Sequence, residues 1–306
     1  MRLKDKLAFG MVLPNRSPDP LDMAVVRSVA QRAEALGFQD LWVSENTLDH
    51  VYSLDPIVAL TYAAAVTETI RLGVSVVTLP MHSPLHVAHQ ISSLDTVSHG
   101  RAILGIGLGR EREYRHFQVP LEHRVRRFRE SIELIKALWM QPSVRYRGDC
   151  YQLEDAGIAL KPVQKPHPPV WLGGMHPDAV KRAAVLGDGW MAGGTQSAED
   201  FSSCVPLLRE ALEKAGRDLA AFPVSKRVYI AVDEKPGVAR AELNRWFTEV
   251  NRKPGLTDSA GIHGTPAQVH EQLETLRAAG ATHILLNAVS RYREQVEALA
   301  EVIDLG

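Results

Sequence analysis

Short apolar and β-branched runs alternate with helix-period segments along almost the whole chain, and that alternation restricts it to parallel strands joined by helical crossovers. Residues 7–13 read as the first strand. Asp19 and Pro20 open a helix as N-cap and first residue, Val26, Val29, Ala30 and Ala33 share its buried face, and Gly37 ends it. Further strands are predicted at 40–44, 72–78, 102–106, 170–173, 189–192, 224–232 and 283–286. The run 72–78 is β-branched almost throughout, as a strand buried on both faces must be. Helices are predicted near 55–69, with Asp55 as cap, and near 85–97, 121–139, 179–186, 198–215, 237–250, 266–279 and 291–303. Thr265, Pro266 and Gln268 give the helix after Gly264 a capping box ahead of its buried stripe Val269, Leu273 and Leu276.

Eight strands are enough to close a barrel, so the fold class expected is α/β, a (β/α)8 TIM barrel. The 306 residues exceed the roughly 250 typical of one such barrel and fall short of two full domains, so one domain is expected over 1–306. Insertions are expected near 140–169 and 251–264. In the first, 144–151 has the form of a β-hairpin turning near Gly148, followed by a proline-rich approach at 161–169. In the second, 251–263 is rich in Gly, Pro, Ser and Asp and reads as a long loop, of the kind that often covers a barrel site as a lid.

Charge removes whole classes of partner. With 35 basic and 36 acidic residues spread along the chain, there is no electrostatic footprint for nucleic acid. The densest basic run, His123 to Arg129, reads as a solvated helix face, with the binding of one phosphate as the sharper alternative. Cys150 and Cys204 are far apart, which argues against a disulfide framework or a zinc site and fits a reducing compartment. No segment has the length and apolarity of a secretory or membrane-spanning stretch, so a cytoplasmic protein is expected.

Chemistry in a barrel sits at the carboxyl ends of its strands, and glycines mark several of those ends. Gly105-Ile106-Gly107-Leu108-Gly109 follows a strand but lacks the third glycine of a dinucleotide fingerprint. It reads instead as a floor, with Gly107 and Gly109 letting backbone approach a planar ligand. Gly173, Gly174 and Met175 lie where a strand gives way to a helix, a junction whose free N–H groups and dipole suit a phosphate. Gly193, Gly194 and Thr195 follow the next strand and could embrace the same phosphate. Ser44, Glu45, Asn46, Asp49 and His50 follow the second strand and are candidates to face a substrate, Glu45, Asn46 and His50 as its catalytic groups. His82, His86, His89 and His99 are read as covering a surface, without the strand-end carboxylates of a barrel metal site, and no metal is expected. Neither a nucleophile elbow nor a metalloprotease motif occurs.

Leu41-Trp42-Val43-Ser44-Glu45, Arg71 to Val76, Gly100 to Gly107, Val170 to Gly174 and Gly187-Asp188-Gly189-Trp190, in that order and spacing, resemble the luciferase-like monooxygenase superfamily. Within it the chain is most similar to the branch that uses the deazaflavin coenzyme F420. The resemblance implies a bacterial-luciferase-like barrel, with Ser75-Val76 as a non-prolyl cis peptide forming a bulge against the cofactor ring. It also implies that Gly173, Gly174 and Met175 form the phosphate turn, Gly194 and Thr195 the neighbouring loop, and Arg124 and Arg127 basic positions on the phosphate side. The function implied is hydride transfer between coenzyme F420 and a small organic substrate. Alternatives are an FMN-dependent monooxygenase using reduced flavin and oxygen, and a non-catalytic flavin or deazaflavin carrier. Relatives commonly form homodimers. The chain departs from many relatives in having Glu45-Asn46 in place of Asp-His, and Asn can orient a substrate but cannot exchange a proton near neutral pH. It also has Arg110 where many relatives have an aromatic residue.

Overall fold

The computed structural model describes residues 2–305. Eight parallel strands form its centre: β1 Ala8–Val12, β2 Asp40–Val43, β3 Arg71–Val74, β4 Ala102–Gly107, β5 Val170–Gly173, β6 Gly189–Ala192, β7 Val224–Val232 and β8 His283–Ala288. Each pairs with the next, and β8 pairs with β1, Ala8 opposite His283 and Phe9 opposite Ile284, so the sheet closes on itself. This is the (β/α)8 barrel expected from the alternation. The run 72–78 is not one strand: after Val74 the Ser75–Val76 peptide is cis, and pairing with β4 resumes at Val77, opposite Ile106.

Helices cover the outside: α1 Met23–Leu36, α2 Pro56–Ala64, α3 Pro84–Val97, α4 Arg124–Met140, α5 Pro177–Leu186, α6 Ala198–Lys214, α7 Pro266–Ala278 and α8 Tyr292–Val302. Two ends differ from expectation for identifiable reasons. Asp22, not Asp19, caps α1, its side chain accepting from Ala24 N at 2.8 Å. Asp19 is held earlier in the loop, its N–H bonded to Ser17 Oγ at 3.1 Å and its carboxylate facing Arg245 at 3.3 Å. Helix α2 stops at Ala64 because Arg101 takes the carbonyls that would continue it, donating to Ala64, Thr67 and Ile70 oxygens at 2.9–3.1 Å. No helix among the described residues is long and apolar enough to cross a membrane.

The hairpin is present, Val144–Arg147 pairing antiparallel with Gln152–Ala156. The Glu130 carboxylate on α4 fixes its turn by accepting from the N–H groups of Asp149, Cys150 and Tyr151 at 2.9–3.2 Å. The region 251–263 is more ordered than a plain loop. It contains a short helix, Thr257–Ala260, and the strand Gly261–Gly264, which pairs beside the outer half of β7 with Gly261 opposite Tyr229. At nine residues β7 is long enough to support both this strand and β8.

The barrel interior is layered. At the amino end of the strands, Asp40 and His283 face each other across 3.0 Å, with Ser225 Oγ 2.8 Å from the other imidazole nitrogen and the Trp42 indole N–H donating to Asp40. Above them Trp42 and Trp171 pack with ring centroids 5.1 Å apart, joined by Val12, Ile103, Met191 and Leu285. The rings fit because Gly73 has no side chain: a Cβ there would lie 2.5 Å from the Trp42 ring. This apolar plug leaves the carboxyl end of the barrel as the place where a ligand can enter.

Candidate active site

Residues from six strand ends converge above the plug. On β1 and β2, Asn15 clamps Ser44, its amide donating to Ser44 O at 2.8 Å and accepting from Ser44 N at 3.2 Å. Asn46 then donates to Ser44 Oγ at 2.9 Å, which fixes the start of the β2 loop. Glu45 turns toward β3, where one carboxylate oxygen accepts from Thr78 N at 2.5 Å and the other from His82 Nε2 at 2.5 Å.

His82, read with His86, His89 and His99 as covering a surface, precedes α3, for which Ser83 is the N-cap, whereas His86 and His89 sit exposed on the helix. It belongs to the loop after the third strand, the class of position from which barrel enzymes draw catalytic groups. That is the signal that could have found it. Burial alone would lower the His82 pKa, but the Glu45 carboxylate, helped by Asp55, more than offsets this and holds it above its ordinary value. The mouth therefore carries a titratable His82–Glu45 pair even though position 46 is Asn.

His50, proposed alongside Glu45 and Asn46, is used differently. Its Nε2 lies 2.8 Å from Glu249 O and its Nδ1 3.1 Å from Asp49, which ties the β2 loop to the end of the helix Pro236–Glu249. Asp49 in turn pairs with Arg16 at 2.5 Å. The structure brings together Glu45 and His82; it joins Asn46 to Ser44.

The break in the third strand directs Val76 inward. A Cβ on Gly107 would lie 2.8 Å from one Val76 methyl and a Cβ on Gly173 3.1 Å from the other, so these glycines admit Val76 between β4 and β5. Gly109, at φ +74°, sits against Thr78, whose methyl would lie 2.2 Å from an added Cβ. Gly107 and Gly173 thus make room for Val76, and Gly109 makes room for Thr78 beyond it.

At the β5 end, Gly174 has φ +145° and its N–H is already spent on Met191 O at 3.2 Å, while its carbonyl accepts from the Trp190 indole at 2.7 Å. The unspent amides lie one step on. Met175 and His176 N–H make no hydrogen bond among the described residues, and His176 caps α5, whose dipole points the same way. At the β6 end the N–H groups of Gly194 and Thr195 are likewise without partners among the described residues. Behind this second loop the Lys226 ammonium donates to Gly193 O at 2.6 Å and Gln196 O at 2.8 Å. Burial brings the Lys226 pKa down to about 8, against the pull of Asp200. Two adjacent loops with free amides, one leading into a helix start, fit a phosphate. Arg124 pairs with Glu111 at 2.9 Å and Arg127 donates to Pro120 O at 2.8 Å, so both border the β4 loop. No hydrogen bond joins either to the 174–176 turn among the described residues.

A family model described as luciferase-like monooxygenase matches residues 7–283. The F420-dependent glucose-6-phosphate dehydrogenase of Kineococcus radiotolerans is 31% identical over 226 residues, spanning 71% of this chain and 66% of that protein, just under two thirds of its length. The 5,10-methylenetetrahydromethanopterin reductase of Archaeoglobus fulgidus is 28% identical over 295 residues, covering 83% of this chain and 86% of that one. Among solved structures, an F420-dependent secondary alcohol dehydrogenase in complex with an F420-acetone adduct superposes with a TM-score of 0.86 at 19% identity, over 98% of this chain and 99% of that one, a likeness of fold. The barrel and a family model spanning most of the sequence lead to one conclusion: the chain belongs to the luciferase-like monooxygenase family.

Proposed function

We propose that this chain is an oxidoreductase that binds coenzyme F420 and passes a hydride between it and a small organic substrate. The observation that carries the reading is the pairing of an inward bulge at Val76 with unspent amides at two neighbouring strand ends. Similarity to relatives named as F420-dependent favours the deazaflavin over FMN. When bound, the deazaflavin supplies a ring carbon that donates or accepts hydride. The N–H groups of Met175, His176, Gly194 and Thr195 would hold its phosphate, with the α5 dipole adding to them. Val76 offers an apolar face to a planar ring, and the tryptophan plug excludes water from below. Asn46 orients the substrate by hydrogen bonding. His82, whose protonated form Glu45 favours, would hold the proton that accompanies the hydride and take it back in the reverse direction.

Gly174→Val tests the placement of the phosphate. At φ +145° a branched side chain is strained, and its Cβ would lie 2.8 Å from that of Ala179, so the turn carrying Met175 and His176 must move. The F420 dissociation constant measured by fluorescence titration is expected to rise at least about tenfold, with the far-ultraviolet circular dichroism unchanged. An unaltered constant would remove the phosphate from this turn.

A further inference from the structure

The outer face of β7 carries one residue that does not suit it. Along the strand Ser225 and Arg227 face the barrel interior, Ser225 against His283 and Arg227 against Ser75 O and Asn287. On the opposite face Val224, Val228 and Ile230 join the apolar layer beneath the helices, and Lys226 stands among them, 2% exposed. An ammonium in such a layer is costly unless its N–H groups find acceptors and its charge a partner.

Lys226 finds the acceptors but not the partner charge. Its hydrogen bonds run to backbone carbonyls, Gly193 O at 2.6 Å and Gln196 O at 2.8 Å, and no salt bridge joins it to a carboxylate among the described residues. Two charged groups bear on it: Asp200 at the start of α6, which favours the charged form, and Arg227 on its own strand, which opposes it. No charged group on β6, β8 or the other elements packed against β7 adds to these. The Asp200 carboxylate is itself engaged, accepting from Ser197 N at 2.9 Å in the capping of α6.

The two carbonyls bracket Gly194 and Thr195, whose amides have no partner among the described residues. The Gly193–Gly194 peptide is trans, so its C=O and N–H point in opposite directions. With the carbonyl drawn back to Lys226, the Gly194 N–H faces away from the ammonium. The Gln196 carbonyl fixes the far end of the loop in the same manner, and the N–H of that peptide is the one Asp200 accepts.

We infer that Lys226 is a positioning residue for the phosphate: without touching it, the ammonium aims the Gly194 amide outward and supplies a positive charge that stands uncompensated behind the loop. The inference rests on the phosphate placement proposed above and adds that the phosphate is the missing counter-charge. Its consequence is a linkage between binding and protonation. A nearby anion favours the protonated amine, whose pKa burial has brought down to about 8, so binding takes up a proton near and above that pH.

Titrating the full-length protein with F420, and in parallel with FMN, from about pH 7.5 to about 9.5 tests this, since neither phosphate changes its charge over that range. The dissociation constant is expected to rise about fivefold across it, and calorimetry near pH 8.5 in buffers of different ionisation enthalpy should show about half a proton taken up per site. Lys226→Met should weaken binding about tenfold at the lower pH, with no further change as pH rises and no proton uptake. Lys226→Gln keeps N–H donors for the carbonyls and loses the charge; its constant should be equally level in pH, and it carries the comparison if Lys226→Met fails to fold. A lysine that only staples the loop would leave the wild-type constant level, because a neutral amine still donates both bonds. A level wild-type constant without proton uptake, or undiminished binding by the variants, would overturn the assignment and leave the phosphate turn in place. A wild type that binds neither ligand would overturn both.

Discussion

Asp40→Ala is expected to lose about 3–5 kcal/mol of folding stability, the range for removing one member of a buried ion pair and stranding the other. Asp40 is 1% exposed and His283 2%, so both are shielded from bulk solvent. Removing the carboxylate also deprives the Trp42 indole of its acceptor beneath the apolar plug. A urea unfolding curve at neutral pH measures the loss as a shift in midpoint at constant slope. A change below about 1 kcal/mol, the scale of an exposed pair, would mean that the network does not hold the barrel floor together.

The pH dependence has a definite sign. Burial would raise the Asp40 pKa, but His283 first, then Trp42 and Arg71, more than offset it and leave it below its ordinary value. A carboxyl lowered on folding contributes stability above its unfolded value of about 3.9, and the contribution is lost as pH falls through the depressed folded value. Acid unfolding of the wild type is therefore expected to steepen in that window, and Asp40→Ala should lack the step.

The second large effect concerns His82. His82→Ala is expected to lower kcat by about 10²–10⁴, the usual contribution of a positioned acid–base group, with F420 affinity unchanged. Glu45→Gln should reproduce part of that loss, since it keeps an acceptor for His82 but removes the charge that raises its pKa. The pH profile carries the distinguishing signature. His82 has a raised pKa in the folded state, so the pair's stabilising contribution is complete below the unfolded value of about 6.5 and fades as pH rises through the folded one. In the direction that consumes a proton, kcat should decline over the same range, and in Glu45→Gln the decline should move to lower pH. A profile that stays put would leave His82 a structural partner of Glu45.

The barrel was legible because parallel strands covered on both faces must be apolar throughout, and runs such as 72–78, 102–106 and 283–286 admit few other readings. The break inside the third strand was reached through resemblance, since nothing in the residues Ser75 and Val76 themselves prescribes it. The glycines at 107, 173 and 174 were legible as strand-end glycines, but their neighbours were not: two of them make space for Val76, and the third spends its amide on Met191 O. Long-range partners were out of reach. Asp40 and His283 are 243 positions apart and meet only when β8 closes on β1 and β2 follows. Arg227 lay in an ordinary-looking strand, where its inward direction has meaning only once the inside of the barrel is known. His82 was masked by a coincidence of spacing with His86 and His89, and only the helix boundary at Ser83 separates them.

The central claim is that this mouth grips a phosphate-bearing deazaflavin. Titrating the purified protein into oxidised F420, and in parallel into FMN, and following the fluorescence of each ligand measures this directly. Saturable binding of F420 at micromolar concentration, one per chain and clearly tighter than FMN, is the expected result. Tight FMN binding with no response from F420, or no binding of either, would contradict it.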